Sequence, residues 1–516
     1  MNNTITLPTL KPIHLQRTFC QALPKILGCK DYSDQEELIV KMDRELTKSG
    51  VEDLFLKLSL ERYDAEKRDT MDEWCRVRFA QHSIRALRCT VLRNLLGESL
   101  RGMSRRLAEC PLYQKFCGLN DFELTRIPSK STLQSYEHWL SEDKMLFILH
   151  ALREAVSNEE KAKSIGLKKT IQMNTVIVDT TCLEANIHFP VDWVLLRDVV
   201  RTLMKATACI RRHGLKERMI DPMLFLSRIN KECIAMSAKQ RKKNGNKSGR
   251  RRKKGASKAQ KDVLRKMKNI VNIVEEHALR HRNLLDQEWG QTDLTRAEAE
   301  VIINRIDSII AQIPEAKHQA HERIIGGRQV PPDKKIFSLY DRDIRISVKG
   351  KAGARAEFGN ILFLAQQDLG YIIDHELLKE TSPGDIQLLL KRYDKLKEAT
   401  GNRLATLSAD RGFDAKSTRN LLKKDGVYNV ICPKDPKELS RRIKEEPKFK
   451  KTLKNRGCIE GRISILKNVF LWETPKAKGY ENRSMQVTWA VLSHNLWVIA
   501  RKARWKEDCE LAPLAG

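Results

Sequence analysis

The segment that decides the fold spans residues 404–431 and reads LATLSADRGFDAKSTRNLLKKDGVYNVI. Its two ends have the apolar and β-branched character of strands, and Asp414 and Gly426 are residues of the kind that open and close a helix. A strand, a helix and a second strand in this order form a crossover between parallel strands. Asp410 would then follow the carboxyl end of the first strand, where open α/β sheets bind ligands. The segment therefore predicts an α/β fold with a candidate site at Asp410.

A second buried strand is predicted earlier in the chain, over residues 175–178. This run, Thr-Val-Ile-Val, is β-branched, and Asp179 follows it directly. Asp179, like Asp410, is therefore expected at the end of a strand. Three more stretches read as neighbouring strands of one sheet, at residues 344–348, 360–366 and 371–377.

A helix with two chemically different faces is predicted beyond residue 456. Its apolar face repeats at helical spacing and consists of Ile459, Ile463, Leu466 and Phe470. On a second face one carboxylate, Glu460, stands between two cations, Arg456 and Lys467. The sequence predicts that this helix flanks the sheet and carries Glu460 towards the two aspartates.

Three carboxylates, Asp179, Asp410 and Glu460, are therefore candidates for a single site. Hard divalent cations prefer oxygen ligands of this kind. Two Mg²⁺ ions roughly 3.5 to 4 Å apart can activate an attacking oxygen and stabilise the leaving oxygen of a phosphoryl displacement. An aspartate at a strand end is by itself more often a turn or cap residue. Only the combination, on a strongly basic chain, favours cleavage or joining of a phosphodiester.

The net charge points to a polyanionic partner, because the 516 residues carry a formal charge of +30. Between Lys239 and Lys268 there are fifteen Lys or Arg residues and one acid, Asp262. This block favours contact with nucleic acid, although a solvated loop without a partner is the alternative. No apolar run approaches a membrane span, and residues 1–27 lack the features of a secretory signal. An intracellular protein with reduced cysteines and no membrane partner is expected.

These motifs resemble those of the DDE transposases that bacterial insertion sequences encode. Residues 178–192, which contain Asp179, are similar to the first catalytic motif of that family, and residues 408–413 resemble the second. Arg456, Glu460 and Lys467 reproduce the order and spacing of the third. The resemblance spans roughly residues 100–500. Its other matching segments are Lys349 to Lys351 with residues 357–359, and residues 488–496.

The resemblance implies an RNase H-like catalytic core in which the three acids hold two Mg²⁺ ions, with Mn²⁺ as a substitute. Water would attack the phosphodiester at an element end, and the freed 3′-hydroxyl would then attack target DNA. Arg456 and Lys467 would bind phosphates near the cleavage point. The other predicted DNA-binding residues are Lys349, Lys351, Arg250, Arg251, Arg252, Lys253 and Lys254. The implied partners are terminal inverted repeats and target DNA, bound by a homodimer in the cytoplasm at the bacterial nucleoid.

Five parts are predicted along the chain, with a long helical insertion after the first core strand. They are an N-terminal helical region that binds element ends (1–165), the first part of the core (166–192), a basic helical insertion (193–330), the remainder of the core (331–500) and a C-terminal tail (501–516).

Two departures and two rival functions accompany this prediction. Leu453 stands where the family has a tyrosine, and the distance from Asp179 to Asp410 is long. The rivals are a catalytically inactive DNA-binding protein and an RNase H-like nuclease acting on RNA·DNA hybrids. Several other residues are interpreted mainly as structural, in turns or in the core: Glu184, His188, Asp192, Asp341, Asp343, Asp368, Trp489 and Trp497.

Overall fold

The computed structural model describes eight stretches of the chain. They are residue 23 and the ranges 26–66, 73–119, 125–245, 257–348, 356–367, 369–471 and 477–503. The chain divides into two compact units. The first holds the described residues of 1–184, 361–378 and 382–516, and the second holds those of 185–360 and 379–381. The second unit includes the described residues of the segment 193–330.

Within the described residues, eight helices precede the first strand. Their bounds are α1 Lys30–Lys48, α2 Val51–Glu66, α3 Glu73–Leu96, α4 Leu100–Glu109, α5 Pro111–Cys117, α6 Lys130–Glu137, α7 Glu142–Ser157 and α8 Glu159–Ser164. Hydroxyl groups open two of them, because Ser99 accepts from the backbone N–H of Gly102 and Ser129 from that of Thr132. The N-terminal region is helical in its described parts.

The second unit is also mainly helical. Its helices are α9 Asp192–Arg212, α10 Pro222–Gly245, α11 Lys258–Glu288, α12 Arg296–Ile310 and α13 Ile313–Ala320. Leu and Ile residues on these helices, such as Leu203, Leu264 and Ile306, are fully buried in one core cluster. The helical spacing seen in the sequence therefore comes from packing of these helices against each other.

The described strands form one mixed sheet. Its strands are β1 Thr175–Glu184, β2 Arg345–Ser347, β3 Glu357–Gln367, β4 Ile372–Leu377, β5 Thr406–Ala409 and β6 Tyr428–Ile431. The strand order is β2-β3-β1-β5-β6, and β4 also pairs with β3. β5 lies parallel to both β1 and β6, whereas β3 lies antiparallel to β2 and β4. The prediction of an α/β fold is confirmed at this level.

The remaining helices of the first unit cover the sheet. They are α14 Asp385–Ala399, α15 Lys416–Lys424, α16 Pro436–Glu445, α17 Pro447–Ile465 with a π-turn at Leu466–Phe470, and α18 Tyr480–Lys502. Val178 and Ala409 share a core cluster with residues of α14 and of the N-terminal helices. Leu183 and Leu364 instead pack with Phe470 and with apolar residues of α18. Because strand side chains alternate between faces, β1 is buried on both sides.

Two local predictions are wrong. β1 does not end at Asp179 but continues to Glu184, because Thr180, Thr181 and Leu183 keep the β-branched and apolar character of a strand. Asp414 does not cap α15, whose N-cap residue is Ala415. The Asp414 carboxylate instead accepts hydrogen bonds from Arg419 at 2.6 and 2.8 Å and from the backbone N–H of Lys434.

Candidate active site

Asp179 and Asp410 are neighbours across two parallel strands. Val178 pairs with Ala409, so each aspartate is the next residue along its strand. The backbone of Asp410 is still extended, with φ −73° and ψ 177°. Since Val178 and Ala409 face one core cluster, alternation turns both aspartates to the opposite face. The register therefore brings together two acids that are far apart in the sequence.

Backbone N–H groups orient both carboxylates. The N–H of Thr180 donates to Asp179 Oδ1 at 2.7 Å, and the N–H of Gly412 donates to Asp410 Oδ1 at 2.8 Å. Asp410 thereby caps the short 3₁₀ turn Arg411–Phe413, which ends β5. β1 continues beyond this point, so Asp179 is its first residue past the pairing with β5.

Glu460 lies on α17, which packs against β1, β5 and β6. Its neighbour Ile459 is buried, as the apolar spacing predicted, whereas the Glu460 side chain is 65% exposed. Arg456 Nη2 donates to Glu460 Oε1 at 3.3 Å. Lys467 Nζ donates to the backbone carbonyl of Cys182 at 3.0 Å, near the end of β1. α17 thus lies across the strands that carry the two aspartates, with Glu460 in an ion pair at its surface.

The acids suit a hard cation by their chemistry, but the described residues do not form a closed metal site. Within the described ranges, no three His, Cys, Asp or Glu side chains are grouped closely enough to hold a metal ion. The register brings together Asp179 and Asp410, and the third acid has a guanidinium partner in Arg456. A site with Asp179, Asp410 and Glu460 around Mg²⁺ or Mn²⁺ therefore stays a prediction.

Asp385 is a site residue that the sequence did not indicate. It is the first residue of α14, and its Oδ1 accepts a hydrogen bond from Thr180 Oγ1 at 2.8 Å. A Cβ added to Gly412 would lie 2.7 Å from Asp385 Oδ2 and 3.0 Å from Asp410 Oδ1. Asp385 therefore contacts both the middle of β1 and the turn after β5. The Ser-Pro-Gly segment before it signals a helix start, but nothing in the sequence points to its partners.

Several predicted residues lie outside the described part of the chain. They are Lys349, Lys351, Asp368 and the five residues Arg250 to Lys254. The described part of the basic block flanks these five on α10 and α11. Lys258, Arg265 and Lys266 are exposed on α11, and Ser257 opens that helix with a capping box.

Two of the secondary candidates, Asp192 and Trp489, have clear structural contacts. Asp192 is buried in the second unit, where it accepts hydrogen bonds from Gln319 at 2.9 Å and Arg323 at 2.7 Å. Trp489 is buried, and its Nε1 donates to the carbonyl of Glu137 at 2.9 Å. For these two residues the structural interpretation is the one that the contacts support.

A cleft of about 400 Å³ lies elsewhere in the first unit, between α7, β4, α14 and α18. Arg392 spans part of it and forms ion pairs with Asp374 and Glu376. Burial lowers the pKa of His375 to about 4, and its Nε2 lies 3.1 Å from Thr488 Oγ1. Because acids and bases neutralise each other here, the cleft lacks the positive surface that a nucleic acid requires.

Comparison of the chain with protein-family models, with curated proteins and with solved structures returned no match. Among the described residues no helix is both long enough and apolar enough to cross a bilayer.

Proposed function

We propose that this protein is a DDE transposase that cleaves DNA strands and transfers them, with divalent cations held by Asp179, Asp410 and Glu460. The observation that carries the proposal is the pairing of Val178 with Ala409. It makes the two aspartates neighbours on one face of the sheet, opposite the core cluster that contains Val178 and Ala409. The helix α17, which bears Glu460, packs against both strands.

We propose further that the sheet belongs to an RNase H-like core. In this sheet β1 lies between β3 and β5. The strand β3 is antiparallel to β4, whereas β5 and β6 run parallel to β1. α14 follows β4, α15 lies between β5 and β6, and α17 follows β6. The acids at β1 and β5 and on α17 are therefore in the order that the family resemblance implies.

The roles of the residues follow from their contacts. When bound, Mg²⁺ would activate the attacking oxygen and stabilise the leaving oxygen of the phosphodiester. The N–H groups of Thr180 and Gly412 each donate to one oxygen of the corresponding aspartate, and a carboxylate can accept at both of its oxygens. Glu460 would have to exchange its partner Arg456 for the cation, and Arg456 would then be available to bind a DNA phosphate.

DNA is the proposed partner because the chain carries a charge of +30 and α17 is itself basic. Lys450, Lys451 and Lys454 are exposed on this helix, in the turns before Glu460. Phosphate attraction positions a protein on DNA without reading its sequence. Recognition of terminal inverted repeats is assigned to the N-terminal helices, and two protomers would bring two element ends together.

The test is a nicking assay on supercoiled plasmid and on end DNA, with Mg²⁺, Mn²⁺ or EDTA. Asp179→Asn, Asp410→Asn and Glu460→Gln should each lower the cleavage rate at least about 100-fold, since the loss of a group that merely orients a metal ligand already costs 10- to 100-fold. DNA affinity should stay near that of the unmodified protein, because the acids contribute nothing favourable to phosphate binding.

Glu445→Gln is the matched control. Glu445 is 58% exposed on α16 and pairs with Arg441 at 3.1 Å over the same four-residue interval as Glu460 and Arg456. Its removal should leave cleavage unchanged. Normal cleavage by two of the three site variants would contradict the assignment of the acids. Cross-linking with end DNA that yields only one protomer per complex would contradict the dimer.

A non-catalytic DNA-binding protein is the second candidate function. The ion pair between Glu460 and Arg456 favours it, because this contact holds the third acid at the surface. Such a protein would bind DNA with a strong salt dependence and would show no nicking in Mg²⁺ or Mn²⁺. Cleavage confined to RNA·DNA hybrids, without preference for end sequences, would indicate a nuclease instead.

A further inference from the structure

Asp385 connects β1 with the turn that follows β5, although it belongs to neither strand. Its Oδ1 accepts a hydrogen bond from Thr180, the residue next to Asp179, at 2.8 Å. Its Oδ2 faces Gly412, the residue whose N–H orients Asp410. One carboxylate at the start of α14 therefore touches a neighbour of each aspartate.

Gly412 is required here for its size rather than for an unusual backbone. It lies in the 3₁₀ turn after Asp410 and is not among the glycines with positive φ. A Cβ at this position would lie 2.7 Å from Asp385 and 3.0 Å from Asp410, closer than carbon and oxygen atoms normally approach. The turn thus leaves room for two carboxylates on one side of Gly412, and any larger residue would displace one of them.

We infer that Asp385 is a positioning residue for the catalytic acids, acting through the hydroxyl of Thr180 and the turn at Gly412. This inference rests on the proposed function. The hydrogen bond from Thr180 joins the start of α14 to the middle of β1 across 205 positions of the chain. Thr180 lies just past the pairing of β1 with β5, so this bond holds the part of β1 that carries Asp179.

A structural role alone would also place an acid in the first turn of α14, where it interacts favourably with the helix dipole. The two roles make different predictions for different substitutions. Asp385→Asn loses the charge but keeps an oxygen that accepts from Thr180. Thr180→Val removes the same hydrogen bond from the other side and leaves α14 untouched, whereas Thr180→Ser restores a hydroxyl.

The experiment compares these variants in Mg²⁺-dependent nicking and in hydrogen–deuterium exchange of the full chain. Asp385→Ala and Thr180→Val should each lower kcat about 10- to 100-fold, as for the loss of a group that orients a ligand, with KM for DNA unchanged. The double variant should be no worse than either single one, since both remove the same hydrogen bond. Asp385→Asn and Thr180→Ser should stay within about threefold of the unmodified protein.

Exchange reports on positioning without any cleavage. Peptides that cover residues 176–184 and 408–414 should exchange faster in Asp385→Ala and Thr180→Val but not in Asp385→Asn, while a peptide from α1 stays unchanged. Unaltered exchange of both peptides, 176–184 and 408–414, in Asp385→Ala and Thr180→Val would overturn the inference. A loss of cleavage in Asp385→Asn equal to that in Asp385→Ala would also overturn it. If the unmodified protein nicks no DNA, the proposed function fails and the exchange data still decide the role of Asp385. If Asp385→Ala does not fold, Thr180→Val tests the same hydrogen bond.

Discussion

His494 is fully buried on α18, where its Nε2 lies 3.2 Å from Arg462 Nη1. Burial and this guanidinium lower its pKa to about 3, and burial lowers the pKa of His375 to about 4. Both rings are therefore neutral in the folded chain at pH values where the unfolded chain, with a pKa of 6.5, binds protons. Their contribution to stability is complete above about pH 6.5 and falls as the pH decreases towards 4, by about 1.4 kcal/mol per pH unit for each histidine.

The pH dependence predicts the behaviour of two variants. His494→Gln and His375→Gln should each flatten the plot of unfolding free energy against pH between 6.5 and 4, because glutamine takes up no proton. Urea unfolding at several pH values measures the slope. His150→Gln is the control, since this side chain is 49% exposed. A slope that stays the same in both buried variants would show that other groups cause the loss of stability.

Single residues differ in how far the sequence reveals their role. Asp410 was predictable because a strand, an acid and a helix follow each other within one short segment, residues 404–431. Asp385 was not, since its partner Thr180 is 205 positions away and only the folded sheet brings them together. Asp192 follows Asp179 closely in the sequence, but its contacts are with Gln319 and Arg323. Short-range patterns thus predict candidates, and long-range contacts decide between them.

At the scale of elements, α17 contains two glycines that its packing does not require. Gly457 and Gly461 lie within the helix, and a Cβ added to either would meet no atom within 4 Å. Glycine inside a helix costs about 1 kcal/mol relative to alanine. Gly457→Ala and Gly461→Ala should therefore each raise the free energy of unfolding by about 0.5–1 kcal/mol, which thermal unfolding will measure.

A glycine that follows α15 should show the opposite effect of an alanine substitution on stability. Gly426 follows α15 with φ +66°, a left-handed conformation that alanine adopts only at a cost. Gly426→Ala should lower the free energy of unfolding by about 1 kcal/mol. If the α17 variants were destabilised as well, something outside the described residues would have to occupy the space beside those glycines.

The existence of an element was predicted better than its bounds, since α17 begins at Pro447 and not near residue 456. The spacing of Ile459, Leu466 and Phe470 predicted a helix, and α17 with its π-turn extends to Phe470. β1 was predicted too short, because the polar residues from Asp179 onwards interrupt its apolar pattern. The strand continues there since Leu183 packs on Phe470 and the core on that face extends beyond the pairing with β5. Such packing across the sheet cannot be derived from a local pattern.

At the scale of the whole molecule, a charge of +30 attracts DNA from any direction, so net charge alone does not identify the bound surface. The exposed lysines of α17, Lys450, Lys451 and Lys454, are described cations that precede Glu460 on the same helix. Each lysine that neutralises a phosphate contributes about 0.9 to the slope of the logarithm of affinity against the logarithm of salt concentration. Replacing all three by Gln should therefore reduce the magnitude of that slope by about 0.9 for each phosphate that is no longer neutralised.

A second triple variant separates local contact from net charge. Lys163, Lys168 and Lys169 are also exposed, and they precede β1 in the chain. None of them lies on α17. Replacing them by Gln removes the same three charges. If DNA lies along α17, only the α17 variant should change the salt slope measured by fluorescence anisotropy, because counterion release depends on the phosphates that the protein neutralises and not on its total charge. Equal changes in the two variants would mean that DNA has no preferred path over this helix.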